Sequence, residues 1–232
     1  MIILGRHRLR MHANPFSIRG PDEPVVWADI FPRAAPFALD IGFGCGDFPM
    51  ALGQEHPEWN VVGLEIRQQY VDHLNQRAQA ENISNVHGML ANANLHLAEL
   101  FPADSLIFVS VNFPDPWFKK RHHKRRVIRP EFLEPLLSKL RADAQVHAMT
   151  DYQPIGHEMR DVLDNFAGFE NIDGAGNFAP ESTTGILTER ERTHVARGDA
   201  ICRMRYRVVA QKMEPQCETL LPEQPTFHNV FN

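Results

Sequence analysis

Cysteine is scarce in this chain: three residues in 232, at Cys45, Cys202 and Cys217, odd in number and far apart. No C-x-x-C pair exists, so the sequence offers neither a zinc knuckle nor a dithiol redox couple. The thiols read as buried or idle. Histidine is more plentiful, at twelve residues, but none falls in an HExxH pattern, and His122 and His123 stand side by side in a basic run. The expectation is therefore no metal site. No apolar run approaches the ~20 residues that a membrane span needs, which argues against a helical membrane protein. The opening MIILGRHRLRMH puts a four-residue apolar stub ahead of its arginines. A signal peptide has the opposite order. The expected location is the cytoplasm, without membrane association, and no internal repeat is visible.

What is present suits one decorated globular domain. Hydrophobic residues make up 43% and charged residues 23%, ordinary values for a chain with a substantial core. The net charge of −5 is unevenly spread. The first acid is Asp22, and Arg6, Arg8, Arg10 and Arg19 all precede it. A second block, Lys119-Lys120-Arg121-His122-His123-Lys124-Arg125-Arg126, contains no acid at all. Local patches decide where a polyanion docks more than net charge does. Residues 1–23 read as a basic arm, 24–212 as the folded domain, and 213–232 as a Pro-rich, flexible tail.

From Phe37 onward short apolar runs alternate with amphipathic stretches. Phe37–Ile41, Asn60–Glu65, Asn85–Leu90, Leu106–Asn112 and Ala144–Thr150 read as buried strands. Asp47–His56, Gln68–Asn82, Ala93–Phe101, Pro130–Arg141 and Tyr152–Phe166 read as helices, with Pro130 suited to a first turn. Such alternation predicts an α/β fold: a doubly wound, mostly parallel sheet. Near the C-terminus Ile201–Val209 alternates strictly, which predicts a strand with Arg203, Arg205 and Arg207 on one wet, positive face. The span from Asn171 to Gly198 lacks apolar periodicity and reads as a long loop.

The first strand runs into Asp40-Ile41-Gly42-Phe43-Gly44-Cys45-Gly46. Glycines in that place let backbone turn tightly and approach a ligand closely. Glu65 closes the second strand, where a carboxylate typically accepts from ribose hydroxyls. Acids flank the glycines, with Asp40 before them and Asp47 after. A pyrophosphate seated on the helix N-terminus would be repelled by them. S-adenosylmethionine (SAM) carries a sulfonium and an ammonium and no phosphate, so the charge logic favours SAM over a dinucleotide.

The fourth strand ends in Asn112-Phe113-Pro114-Asp115-Pro116-Trp117-Phe118-Lys119-Lys120, at the edge where open parallel sheets bind ligands. Two prolines hold Asp115 on extended backbone. Together DIGFGCGDF, VVGLE, NFPDPWFKKRHHKRR and MTDYQP resemble the bacterial tRNA (guanine-N7-)-methyltransferase family over roughly residues 37–210. That resemblance implies a Rossmann-like class I methyltransferase with seven strands, one of them antiparallel near the C-terminus. It implies SAM as cofactor and tRNA as partner, with methylation at variable-loop position forty-six and a monomer or homodimer as the working unit.

The resemblance also implies residue roles. Asp40, Gly42, Gly44, Gly46, Glu65, Asn92 and Asp115 fall on cofactor positions, and Asp115 is also the catalytic candidate. Lys119, Asp151 and Thr188-Glu189-Arg190-Glu191 fall on substrate positions. Lys120, Arg121, Lys124, Arg125 and Arg126 are expected on the RNA backbone. Three features depart from the family: Asn92 replaces an aspartate, Arg190 replaces an aromatic, and the tail beyond Met213 is long. Asn92 and the variant Thr188–Glu191 loop leave open an RNA-binding protein of this fold with impaired catalysis. A methyltransferase for another nucleobase also stays open, although Asp115-Pro116-Trp117 lacks the second proline of the [DN]PP[YFW] pattern common in amino-group methyltransferases.

Overall fold

The computed structural model describes residues 14–209. Arg6, Arg8 and Arg10 of the basic arm, and the tail 213–232, lie outside the described residues. Seven strands form one sheet: β1 (Phe37–Ile41), β2 (Asn60–Glu65), β3 (Val86–Leu90), β4 (Leu106–Asn112), β5 (Leu140–Thr150), β6 (Phe169–Asn171) and β7 (Cys202–Val208). Their order is β3-β2-β1-β4-β5-β7-β6. The first five pair in parallel, and β7 runs antiparallel to both β5 and β6. The helices are α1 (Trp27–Ile30), α2 (Asp47–Glu55), α3 (Gln68–Ala80), α4 (Ala93–Leu100), α5 (Pro130–Leu137), α6 (Gln153–Asp164) and α7 (Glu189–Arg197). No helix among the described residues is long and apolar enough to cross a membrane.

β1 and β2 are buried at every position, as a sheet covered on both faces demands. Two apolar clusters provide that cover. One gathers Phe31, Phe37, Phe101, Phe132 and Tyr206; the other gathers Phe43, Phe48, Leu74 and Phe108. Trp27 anchors the entry to the domain, stacking on Phe101 and donating its indole N–H to the Leu100 carbonyl at 2.8 Å. Strand order reverses between β1 and β4. At that switch point the connections leave in opposite directions and open a crevice beyond the carboxyl ends of both strands.

Two sequence expectations are corrected. The helix expected over Pro130–Arg141 stops at Leu137, and Leu140 already pairs with Leu106 in the sheet. The cause is an irregularity in β5: Leu106 faces Leu140, but Phe108 faces Gln145, with Asp143 in left-handed backbone at φ +62° between them. The extra residues bulge to solvent and so carry no apolar alternation. The loop expected over Asn171–Gly198 contains α7. Thr188 caps it, accepting from the Glu191 N–H at 3.0 Å, and Gly198 ends it in left-handed backbone at φ +72°. These are strong start and stop signals. The helix was hidden because Glu191 is its only buried residue.

Candidate active site

The glycine loop occupies the carboxyl end of β1. Gly42, Gly44 and Gly46 have φ of +74°, +58° and +85°, a region closed to most side-chain-bearing residues. A Cβ at Gly42 or Gly44 would meet no atom of the described residues within 4 Å, so backbone alone borders open space there. At Gly46 a Cβ would come within 2.9 Å of Leu74, and this glycine serves helix packing.

Two buried acids flank that open space. Asp40 accepts from the Ser110 hydroxyl at 2.7 Å and from the Asn112 amide at 3.2 Å. Burial pushes its carboxyl up to about 7, against those two hydrogen bonds, and the charge of Glu65 adds to the rise. The Asn112 Oδ1 is itself buried without a partner among the described residues. Glu65 accepts from the Gly44 N–H at 3.3 Å and from the Ile66 N–H at 2.8 Å. Arg67 returns to the same carboxylate through Nε at 3.0 Å and Nη2 at 3.1 Å. Asp115 is exposed and lies within electrostatic reach of Arg67. The β4 turn therefore brings Asp115 toward the carboxyl end of β2. Cavities of about 510 and 270 Å³ lie elsewhere, and neither is lined by Asp40, Glu65 or Asp115.

Asn92 follows β3 on the same edge, next to Ala91, whose N–H donates to the Glu65 carbonyl at 3.0 Å. Its side chain is engaged within the protein. The oxygen caps α4, accepting from the Asn94 N–H at 3.0 Å, and the amide donates to the Pro15 carbonyl at 2.8 Å. The Gly20 N–H sits 3.1 Å from His96 Nε2. Segment 14–20 is thus fastened beside the crevice.

An open glycine loop bracketed by buried acids suits an organic cation. The family model described as "Putative methyltransferase" matches residues 34–204. A tRNA (guanine-N(7)-)-methyltransferase of Synechococcus sp. (strain JA-2-3B'a(2-13)) is 42% identical over 156 residues, 66% of this chain and 65% of that protein. One from Synechocystis sp. (strain ATCC 27184 / PCC 6803 / Kazusa) is 36% identical over 199 residues, covering 81% of this chain and 91% of its own length. This chain belongs to the tRNA (guanine-N(7)-)-methyltransferase family.

Solved structures give the same fold at low identity. The 16S rRNA methyltransferase KamB superposes with a TM-score of 0.57 at 18% identity, covering 79% of this chain and 93% of that one. A 16S rRNA (adenine(1408)-N(1))-methyltransferase variant from Catenulisporales acidiphilia, solved with cosubstrate SAM, gives 0.54 at 18%, covering 80% and 91%.

The residues expected to meet substrate lie at the same edge of the sheet. Asp151 directly follows β5 and takes Arg190 Nη2 at 2.7 Å and His194 Nε2 at 2.8 Å, both from α7. Burial works to raise its carboxyl, but Arg190, with His194 behind it, holds it below the usual range. Arg190 also lies over the Phe113 ring at 5.1 Å, and His194 stacks on the same ring. Arg190 therefore packs against an aromatic face and makes an ion pair at once. Glu189 lies within electrostatic reach of Cys45 in the glycine loop. Glu191 is fully buried and pairs with Arg203 Nε at 2.7 Å. Thr188 and Glu191 thus hold α7 in place, while Glu189 and Arg190 border the crevice.

The basic groups divide in two. Lys119, Lys120, Arg121 and Lys124 are exposed. Arg125 and Arg126 are half-buried: Arg125 lies over Trp117 at 4.9 Å, and Arg126 donates to the Pro116 carbonyl at 3.0 Å and pairs with Glu158. These two arginines brace the Pro116-Trp117 turn. The face of β7 expected to be wet and positive is corrected: Arg203, Arg205 and Arg207 pair with Glu191, Asp173 and Glu170. The neutralising acids come from α7, β6 and the segment after β6, elements that the apolar pattern did not reveal. Ser110, Asn112, Arg67, Phe113 and His194 join the site without having been singled out in the sequence. Their roles depend on strand register and on the placement of α7, for which apolar spacing carries no signal.

Proposed function

We propose that this chain transfers a methyl group from SAM to N7 of a guanine in tRNA, at variable-loop position forty-six, in the cytoplasm and as a monomer or homodimer. The observation that carries this reading is the buried Asp40–Glu65 pair around an open glycine loop, set at the switch point that Asp115 overlooks. When bound, SAM supplies a methyl group on a sulfonium, which an unprotonated ring nitrogen accepts without prior deprotonation.

Asp40, Gly42, Gly44, Gly46 and Glu65 would hold it. The ionised form of Asp40 suits the cationic end, and Glu65 suits ribose hydroxyls once Arg67 yields its carboxylate. Asn92 marks the far end of that line and contributes position more than charge. Guanine N7 has a free lone pair at neutral pH, so orientation is the main task, worth roughly 7–11 kcal/mol of the barrier in favourable cases. Alkylation makes the purine ring positive and its N1–H and amino group more acidic. A carboxylate accepting from that edge, Asp115, gains strength in the transition state, where stabilisation raises rate. Asp151, Glu189 and Arg190 border the place where the base would enter. Lys119, Lys120, Arg121 and Lys124 would meet phosphates, with Arg125 and Arg126 supporting them from below. The folded RNA would be read largely by shape, its target base turned out of the stack.

The test is incubation of unmodified tRNA with methyl-labelled SAM, followed by digestion and nucleoside identification. Label in 7-methylguanosine is expected. Label in another nucleoside would transfer the reading to a different nucleobase. Tight tRNA binding without label would support an RNA-binding protein instead.

A further inference from the structure

Phe118 is the only exposed phenylalanine among the described residues, at 67% relative exposure. It meets Tyr152, itself 42% exposed, with ring centroids 5.2 Å apart and planes at 90°. The two rings come from adjacent strand ends, Phe118 from the turn after β4 and Tyr152 from the residue after Asp151. A solvent-facing aromatic pair on a rigid turn loses apolar burial that the fold obtains elsewhere.

The turn itself is pinned. Trp117 sits in left-handed backbone at φ +45°, the Pro116 carbonyl takes Arg126, and Arg125 covers the indole. The ring of Phe118 is therefore presented by a braced backbone, and Tyr152 meets it at right angles. In the chain it is followed directly by the exposed cations Lys119, Lys120 and Arg121. Aromatic faces next to cations match a nucleic-acid strand, whose bases offer π faces and whose phosphates offer charge. A hydrophobic protein partner would not call for that run of charge.

We propose that Phe118, backed by Tyr152, is a substrate-positioning platform on which an unpaired base flanking the methylated guanine stacks. The inference rests on the function proposed above and names a further element of RNA recognition. Phe118 is three residues beyond Asp115, at most about 10 Å along extended backbone. A base on the platform is therefore a near neighbour of a base held at Asp115. Stacking also gives the splayed strand a second point of support, which lowers the cost of turning the target out.

The experiment measures tRNA affinity by fluorescence anisotropy, with SAM affinity by calorimetry and methyl transfer by the wild type as separate readouts. Phe118→Ala is expected to weaken tRNA binding about 5- to 150-fold, the range of one lost base stack. Phe118→Trp should retain affinity, and the slope of log Kd against log salt should be unchanged, since no charge is removed. SAM affinity should stay at the wild-type value. A loss under twofold in Phe118→Ala overturns the platform, as does an equal loss in Phe118→Trp. A change of oligomeric state in Phe118→Ala would assign the face to a second copy of this chain and also overturn it. Absence of wild-type methyl transfer alongside a stacking-dependent affinity would sink the proposed reaction and leave the platform standing.

Discussion

The side-chain amide of Asn92 donates to the backbone carbonyl of Pro15 at 2.8 Å, joining positions 77 residues apart in a buried contact. An aspartate at this position could still cap α4 but could not donate to Pro15, and two acceptor oxygens would then face each other. Asn92→Asp should therefore cost about 1–3 kcal/mol of stability, the penalty of a buried group left unsatisfied. It should also speed amide exchange across residues 14–20, including the Gly20 N–H. Unchanged exchange in that segment, measured by mass spectrometry, would show that the contact does not fasten it.

Asp40 links ligand binding to pH. Its folded-state carboxyl titrates at about 7, raised mainly by burial, whereas in the unfolded chain it titrates near 4. The folded state thus holds more protons across that window, so this group's contribution to stability is full below about pH 4 and is lost as pH rises through about 7. Asp40→Asn keeps an oxygen for Ser110 and Asn112 but cannot ionise. Its unfolding free energy should gain on the wild type steadily from about pH 4 to 7. SAM affinity of the wild type should rise over the upper part of the same window, as the carboxylate forms, and that of Asp40→Asn should stay low and flat. Parallel stability curves for the two proteins would refute the assignment.

Arg203 and Arg207 sit on one strand and should behave oppositely. Glu191, the partner of Arg203, is fully buried, and its second oxygen has no hydrogen-bond partner among the described residues. Arg203→Ala strands that charge and should cost about 3–5 kcal/mol. Arg207 and Glu170 are about half exposed, at 53% and 50%. Removing Arg207 should change stability by less than about 1 kcal/mol. Urea unfolding of both variants decides the point.

The salt dependence of tRNA binding separates exposed cations from braced ones. Lys120→Ala and Lys124→Ala should each lower the slope of log K against log salt by about one. Arg207→Ala should leave that slope unchanged, because its charge is already matched by Glu170. Equal slopes for Lys120→Ala and the wild type would remove the basic block from the RNA interface.

The parts of this protein that were legible in its sequence are those where burial sets the pattern. β1, β2 and β4 begin and end where their apolar runs do, because covered parallel strands need apolar residues on both faces. The glycine loop and Glu65 were legible because their chemistry is local. α7 was not, since it holds its place by ion pairs from Arg190, His194 and Glu191, not by an apolar stripe. The early half of β5 was hidden by a bulge at Asp143. A sequence also counts charges without their partners, so Arg203, Arg205 and Arg207 read as a wet, positive face until α7, β6 and the segment after β6 supplied the acids. The meeting of Asp40 with Ser110 and Asn112 is a matter of register between β1 and β4, which no local pattern encodes.

The most direct measurement is single-turnover methyl transfer by Asp115→Ala with saturating SAM and tRNA. The carboxylate is assigned to a positive charge that develops only during transfer, so the rate at saturation should fall by about 10²–10³-fold while affinity for tRNA stays within a few-fold. A rate near that of the wild type would contradict the assignment.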